Sequence, residues 1–424
     1  MAWMRCFLFL QGPHGPFFAA MGRMLESAGA SVCRVGFNAG DEAFWRNKTN
    51  YIPFTDKIEA WPARLRELIA DRGITDIVLY GDTRPIHAEA VTCAKELGLR
   101  LHVFEEGYLR PWWATYERDG SNGHSRLMDI SLAQMQGALA RRENEVTEAP
   151  AHWGDMREHV FYGALYHWYL SVGSRRYPHF QRHRELSPLQ EAYFYTRRMV
   201  TTPIIAVDRH IKTRRVKEGG FPYHLVLMQL EHDSSFQMHS PFRKMEEFLD
   251  VVLQGFAKGA PRHHHIVFKA HPLEMGRRPY AAILKKLSDQ YGLAGRIHYV
   301  SGGKLGGLLD HAKTAVTVNS TAGQQALWRG LPLKLFGTAI YDKPGLVSQQ
   351  DIVDFFGNPQ RPDGRAYRDY RAFLLETSQV PGGFYSRRAR HQLMRRVVDQ
   401  VLADTDPYEA SLSRIGEASL RLVK

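Results

Sequence analysis

Several common chemistries are short of material in this chain. Only three cysteines, Cys6, Cys33 and Cys93, occur in 424 residues, and they are scattered through apolar contexts. An odd, dispersed set excludes a disulfide framework and reads as reduced core residues of a cytoplasmic protein. No apolar run approaches the roughly 18 residues that a membrane-spanning helix needs. The opening MAWMRCFLFL has one Arg, is cut short by Gln11-Gly12-Pro13, and lacks a small-residue cleavage site. It reads as a first strand, not a signal peptide. Two phosphate signatures are also missing. The loop after that strand lacks GxGxxG spacing, and SGGKLGG carries no Ser or Thr behind its Lys. Acidic residues are the scarcer charge, 44 against 56 Lys and Arg, which leaves a formal net charge of +12. Such a balance favours anionic partners: nucleic acid, anionic lipid or phosphorylated substrates.

What is present alternates short apolar runs with amphipathic stretches of about a dozen residues, the mark of parallel Rossmann-like sheets. Cys6–Leu10 leads to a Gly-Pro turn with Gly12 and His14, then to a helix carrying Phe17, Met21, Met24 and Leu25. Amides at that helix start face an anion or sugar, or the glycines merely make a tight turn. Asp76–Tyr80 ends in Gly81-Asp82-Thr83-Arg84, and Leu101–Phe104 ends in Glu105-Glu106-Gly107-Tyr108-Leu109-Arg110. Two adjacent carboxylates repel, and one of them held with a raised pKa suits acid–base work, whereas a solvated acidic turn is the plain account.

Residues 155–219 read as helical, with Trp168, Tyr169, Tyr177, Phe180, Tyr193, Phe194 and Tyr195 among Arg175, Arg176, Arg182, Arg184, Arg197 and Arg198. That mixture suits an anionic membrane interface, single-stranded nucleic acid, or helices packed between domains. A second α/β region opens with the run His224–Leu230, which turns abruptly polar at Glu231-His232-Asp233-Ser234-Ser235. Gln229 lies inside that run. Ile266–Lys269 leads to His271, and Ala315–Val318 to Asn319-Ser320-Thr321-Ala322-Gly323, where hydroxyls and amides at a helix start make a phosphate cradle. The triplet His263–His265 reads as a solvated strand start, because consecutive strand residues point to opposite faces. Polar clusters at strand ends are where open α/β sheets bind ligands. The expected organisation is an α/β, GT-B-like chain of two Rossmann-like domains facing a cleft. The boundaries are 1–150, a helical aromatic and basic connector at 151–220, a second Rossmann-like domain at 221–360, and C-terminal helices at 361–424.

The motifs LFLQGPHGPFF, LYGDTRP, FEEGYLRP, QLEHDSSFQMHSPF, FKAHPLE and VNSTAGQQAL together resemble bacterial capsule polysaccharide biosynthesis proteins of the KpsS type. Each alone is weak; six in the family's order, from about Phe7 to Leu346, are specific. The resemblance implies a retaining β-Kdo glycosyltransferase related to KpsC-type enzymes. It implies CMP-β-Kdo as donor and (lyso)phosphatidylglycerol as acceptor, at the cytoplasmic face of the inner membrane. The glycolipid product would prime the oligo-Kdo linker of a capsule, in company with a KpsC-type transferase and an ABC exporter. Carried over by motif, Asp233 is the nucleophile and Glu106 the acceptor base, with Glu105 the weaker candidate. Glu106 stands where KpsC-type motifs more often have Asp. Lys269 and His271 neutralise the leaving phosphate. Ser320, Thr321, Gly323, Asn319, Ser234 and Gln229 hold the donor; Arg84 and Arg110, with Gly12, His14 and Asp82, hold the acceptor or a sugar carboxylate. No obligatory metal or other cofactor is expected, since no Asp-x-Asp pair stands out and Lys, His and a helix terminus can do that work. The rival readings are a nucleic-acid binder, a nucleotide-sugar epimerase on the same fold, and a non-catalytic scaffold of capsule assembly.

Overall fold

The computed structural model describes residues 5–140, 156–180, 205–274 and 278–413. It divides into two compact units, Met1–Glu185 with Arg371–Lys424, and Leu186–Tyr370. The aromatics Tyr193, Phe194 and Tyr195 and the arginines Arg182, Arg184, Arg197 and Arg198 of the sequence reading lie outside the described residues.

In the first unit, β1 (Cys6–Phe9), β2 (Ser31–Gly36), β3 (Tyr51–Pro53), β4 (Asp76–Tyr80) and β5 (Arg100–Glu106) run parallel in the order β3-β2-β1-β4-β5. The sheet goes on through β6 (Trp113–Arg118) and the strand Gln379–Pro381, both antiparallel to their neighbours. The central strand is covered on both faces, which is why it reads as an unbroken apolar run. Alternation divides it: Phe7 and Phe9 pack with Phe17, Phe18 and Met21, and Leu8 and Leu10 with Trp61, Leu65 and Ile77. The helices Trp61–Arg72 and Pro85–Leu97 have Pro in the first turn and end on Gly73 and Gly98, at φ 58° and 65°. That is the usual asymmetry of helix ends.

In the second unit, β7 (Tyr223–Leu227), β8 (His265–Lys269), β9 (Ile297–Val300), β10 (Thr314–Thr317) and β11 (Leu333–Leu335) are all parallel, in the order β9-β8-β7-β10-β11. Val226, Ile266, Phe268 and Val316 pack beneath the helix Met245–Gly259 through Phe248, Val252 and Phe256. That helix begins at Met245, whose amide is capped by Glu231 Oε2 at 3.1 Å. Both sheets therefore reverse strand order beside their first strand, between β1 and β4 and between β7 and β10. A crevice opens at such a switch point, outside the carboxyl ends of the strands.

Two expectations are corrected here. The tail, read as C-terminal helices, is helical over Gly364–Thr377 and Arg387–Leu402 but carries between them the strand Gln379–Pro381, now β12, which pairs with β6. The helix Arg387–Leu402 follows and packs Leu393, Val397 and Val401 beneath Phe7 and Phe17. Its last carbonyls, which no helical amide reaches, are met by two arginines. Arg5 reaches Val401 and Leu402 at 3.0 and 2.8 Å, and Arg118 reaches Gln400 at 3.2 Å and, just past the helix, Asp404 at 2.9 Å. The second correction concerns the His triplet, of which only His263 is exposed. His264 Nδ1 lies 3.0 Å from His224 Nε2, and His265 Nδ1 lies 2.9 Å from His298 Nε2. The Phe221 ring stacks on both His265 and His298, at 3.9 and 4.9 Å between centroids. Among the described residues no three of His, Cys, Asp or Glu converge as a metal site.

Candidate functional site

At the carboxyl edge of the first sheet, the two glutamates lie in β5 itself and not in a turn, opposite Thr115 and Ala114 of β6. The hairpin can turn here because Gly107 has no Cβ; one would come within 2.2 Å of the Trp113 carbonyl oxygen. Neighbours on a strand face opposite ways, so the two carboxyls have different surroundings. Glu106 Oε1 accepts from the Tyr80 hydroxyl at 3.1 Å, and Tyr385 hydrogen-bonds with both of them. Glu105 Oε1 accepts from the Glu106 amide at 3.1 Å. Burial pushes the Glu105 carboxyl up to about 7, and the Glu106 charge adds to the rise; that amide bond, Arg84 and Arg110 oppose it. Burial thus holds the Glu105 carboxyl near neutrality, with both candidate arginines close by.

The other first-unit residues are placed as follows. Arg84 Nη1 donates to Gln11 Oε1 at 2.6 Å, and Gln11 Nε2 reaches the Tyr166 hydroxyl at 3.2 Å and Asp41 at 3.3 Å. Asp41 is buried and paired with Arg34 at 3.2 Å, and burial holds its carboxyl above the ordinary value. Gly12 is required by packing, since the Phe18 ring lies 2.5 Å from where its Cβ would be. His14 stacks on Tyr385 at 4.6 Å and meets the edge of His159 at 5.0 Å. Asp82 is buried and accepts from the Ser121 amide at 2.9 Å and from His124 at 3.1 Å. It fastens a loop. Arg110 is exposed, with Nε on the Gly107 carbonyl at 3.2 Å.

At the carboxyl edge of the second sheet, the switch point is bolted by two buried amides. Gln229 Nε2 donates to Asn319 Oδ1 at 2.8 Å, the Asn319 amide returns to Gln229 Oε1 at 3.0 Å, and Asn319 Nδ2 reaches the Ser235 carbonyl at 2.8 Å. Both side chains hold β7 and β10 together and leave little for a ligand. In EHDSS the two carboxylates part company. Glu231 is taken up by Met245 and by Arg278 at 2.5 Å. Asp233, the residue before the helix Ser234–Met238, is exposed, and among the described residues its carboxylate has no bonding partner. The Ser234 side chain lies outside what is described.

Lys269 ends β8 buried, and among the described residues its ammonium bonds only the Ala270 carbonyl, at 3.4 Å. Burial, reinforced by the charge of Arg209, lowers it to about 8. No carboxylate among the described residues pairs with it. His271 Nδ1 accepts from the Leu273 amide at 3.1 Å. The cradle after β10 is tighter than expected. The amides of Gly323, Gln324 and Gln325 already bond to the carbonyls of Ser320, Thr321 and Ala322, and the Ala322 amide reaches Ser320 Oγ at 3.2 Å. The donors left there are the amides and hydroxyls of Ser320 and Thr321. Sequence reasoning passed over Tyr80, Tyr385, His159 and Arg209. Tyr80 had a local signal, the polar end of an apolar run; Tyr385 had none, because its partners His14, Tyr80, Glu106 and His159 all lie more than 220 residues away.

Residues 75–385 match the family described as capsule polysaccharide biosynthesis protein. This chain belongs to that family. It is 34% identical over 383 residues to the capsule polysaccharide export protein KpsS of Escherichia coli, covering 89% of this chain and 96% of the relative. It is 33% identical over 392 residues to the capsule polysaccharide modification protein LipB of Neisseria meningitidis serogroup B, covering 90% and 91%. Among solved structures, KpsC of Thermosulfurimonas dismutans, a β-Kdo 2,7 transferase, overlays with a TM-score of 0.45 at 14% identity, over 93% of this chain and 99% of its own. Among the described residues no helix is long and apolar enough to cross a membrane.

Proposed function

We propose that this capsule protein is a retaining glycosyltransferase. It moves Kdo from CMP-β-Kdo to (lyso)phosphatidylglycerol at the cytoplasmic face of the inner membrane and so begins the linker of a capsular polysaccharide. Family membership and the ordered motifs support the reading. The observation that carries it is the contrast within EHDSS: one carboxylate is tied into the fold, while Asp233, at a switch point, is exposed and among the described residues unbonded, and the neighbouring strand ends in a buried lysine that no described carboxylate pairs with.

The Asp233 carboxylate attacks the anomeric carbon of Kdo as the bond to the CMP oxygen breaks, giving a glycosyl-enzyme and CMP. Lys269 and His271 balance the charge on the departing phosphate, with the Ser320 and Thr321 donors beside them. The acceptor hydroxyl then attacks the same carbon, its proton passes to a carboxylate, and Asp233 is released with net retention. For that proton the surroundings favour Glu105, the carboxyl with its pKa near 7, with Glu106 held beside it by Tyr80 and Tyr385. This reverses the order implied by the family motif. Arg84 and Arg110 carry the charge that a sugar carboxylate or lipid phosphate would meet.

Purified protein incubated with a CMP-Kdo-generating system and fluorescent lysophosphatidylglycerol should give a product one Kdo residue heavier by mass spectrometry. Asp233→Ala should lack it. Folded wild-type protein that yields no product would turn the reading toward another acceptor or the scaffold. Product from Asp233→Ala would remove the nucleophile assignment.

A further inference from the structure

The helix Met156–Val172 has two apolar faces, and among the described residues only one is covered. On its inner side Tyr162, Tyr166 and Tyr169 pack on Phe44 at 5.9 to 6.4 Å, Tyr166 closes over Gly40, and Leu170 is buried. Past its end Tyr177 bonds Tyr51 at 2.7 Å. The outer side carries Val160, Phe161, Ala164, Trp168 and Val172, spaced as one helical stripe. The four large residues are 57–63% exposed. An ordinary surface helix turns charge outward; an outward apolar stripe marks a surface that meets something.

The ends of the stripe say what it meets. Arg157 lies one turn before Val160, and Arg175 one turn after Val172. Arg175 has no ion-pair partner among the described residues, whereas its neighbour Arg176 holds Glu42 at 2.8 Å. Seventeen residues make a rod of about 25 Å, with a Trp on the outward stripe and cationic ends. That is the build of a helix lying in the plane of a bilayer interface. A second copy of a chain with net charge +12 would be repelled, whereas an anionic surface would be attracted.

We infer that the stripe Val160–Phe161–Ala164–Trp168–Val172, flanked by Arg157 and Arg175, docks this protein on an anionic lipid surface. The inner side of the same helix brings His159 to within 4.0 Å of Tyr385, beside Glu106, and Tyr166 to Gln11. Docking would therefore hold the acceptor-side residues of the first unit one helix diameter, roughly 10 Å, from the bilayer; their service to a lipid acceptor rests on the proposed function, and the docking itself does not.

The test is flotation of the full chain with phosphatidylserine vesicles, which offer an anionic surface without the proposed acceptor, and with phosphatidylcholine vesicles. Wild type should bind the phosphatidylserine vesicles and bind phosphatidylcholine far less. Phe161→Asp with Trp168→Asp, both at exposed positions, should weaken binding about tenfold. Arg175→Glu, which removes no packing, should weaken it by a smaller factor that added salt reproduces in wild type. The inference is overturned if the double variant floats like wild type, or if the two vesicle types bind equally. It is equally overturned if sedimentation shows a wild-type dimer that the double variant dissolves while flotation is unchanged. Because no donor is present, these outcomes are separate from the fate of the transfer reading.

Discussion

At the scale of single residues, two perturbed groups give opposite signs with pH. Glu105 has a folded pKa near 7 against an ordinary 4.5, so the folded state keeps a proton that the unfolded state loses between those values. Its contribution to stability is therefore most favourable below pH 4.5 and falls as pH rises through 7. Glu105→Gln should stabilise the protein by up to roughly 3 kcal/mol above pH 7 and leave acid stability unchanged, as read from urea midpoints. The same variant should lower kcat/KM about a hundredfold or more and erase an inflection near pH 7, whereas Glu106→Gln should keep that inflection. If Glu106→Gln removed it instead, the proton acceptor would be Glu106. Lys269 runs the other way. Its charge, lowered from 10.5 to about 8, costs the fold roughly 3 kcal/mol below pH 8, and the cost fades as pH rises to 10.5. Lys269→Met should accordingly raise the urea midpoint at pH 7.

Which residues gather at strand ends was legible in the sequence, because a run of apolar residues followed at once by polar ones has few other meanings in an α/β chain. What each polar residue does there was not. Gln229, Asn319, Asp82 and Glu231 look like ligand groups in the sequence, and the fold uses all four internally. That division depends on partners such as Ser121 and Arg278, which only tertiary structure supplies.

Among elements, the buried parallel strands were readable for the same physical reason: covered on both faces, they must be apolar throughout. β6 and β12 were not. Trp113–Arg118 and Gln379–Pro381 are short and mixed in polarity, and they pair across more than 260 residues of sequence. The His triplet was misread because its hydrogen-bonding partners, His224 and His298, lie on neighbouring strands. Each pair needs at least one neutral ring to accept the hydrogen bond. Burial lowers His224 to about 3 and His298 to about 4, so below pH 6.5 the unfolded chain takes up protons that the folded one refuses. Stability from these rings is complete above pH 6.5 and is lost as pH falls toward 3. His298→Asn should flatten the decline of the urea midpoint between pH 6.5 and 4 by roughly 2 kcal/mol. An acid limb identical to wild type would mean that the pair titrates as solvated histidines do.

At the scale of the whole molecule, the chain returns after the second unit to finish the first, with β12 and the helix Arg387–Leu402. Each unit carries its own switch point and its own kind of charge: a carboxyl of raised pKa in the first, a buried cation and an exposed carboxylate in the second. The proposed reaction divides along the same line, with donor handling in the second unit and acceptor handling in the first. CMP affinity, measured by calorimetry on full-length variants, tests that division. Lys269→Met removes a buried ammonium that a phosphate would otherwise pair with, so CMP should bind about ten- to a hundredfold more weakly. In wild type the affinity should fall above pH 8, as the ammonium loses its proton. Glu105→Gln and Arg84→Ala alter only the first unit and should leave CMP affinity within about twofold. Equal losses from variants in both units would mean that the nucleotide is not held by the second sheet alone, and the roles assigned to Lys269 and Glu105 would have to be drawn again from that result.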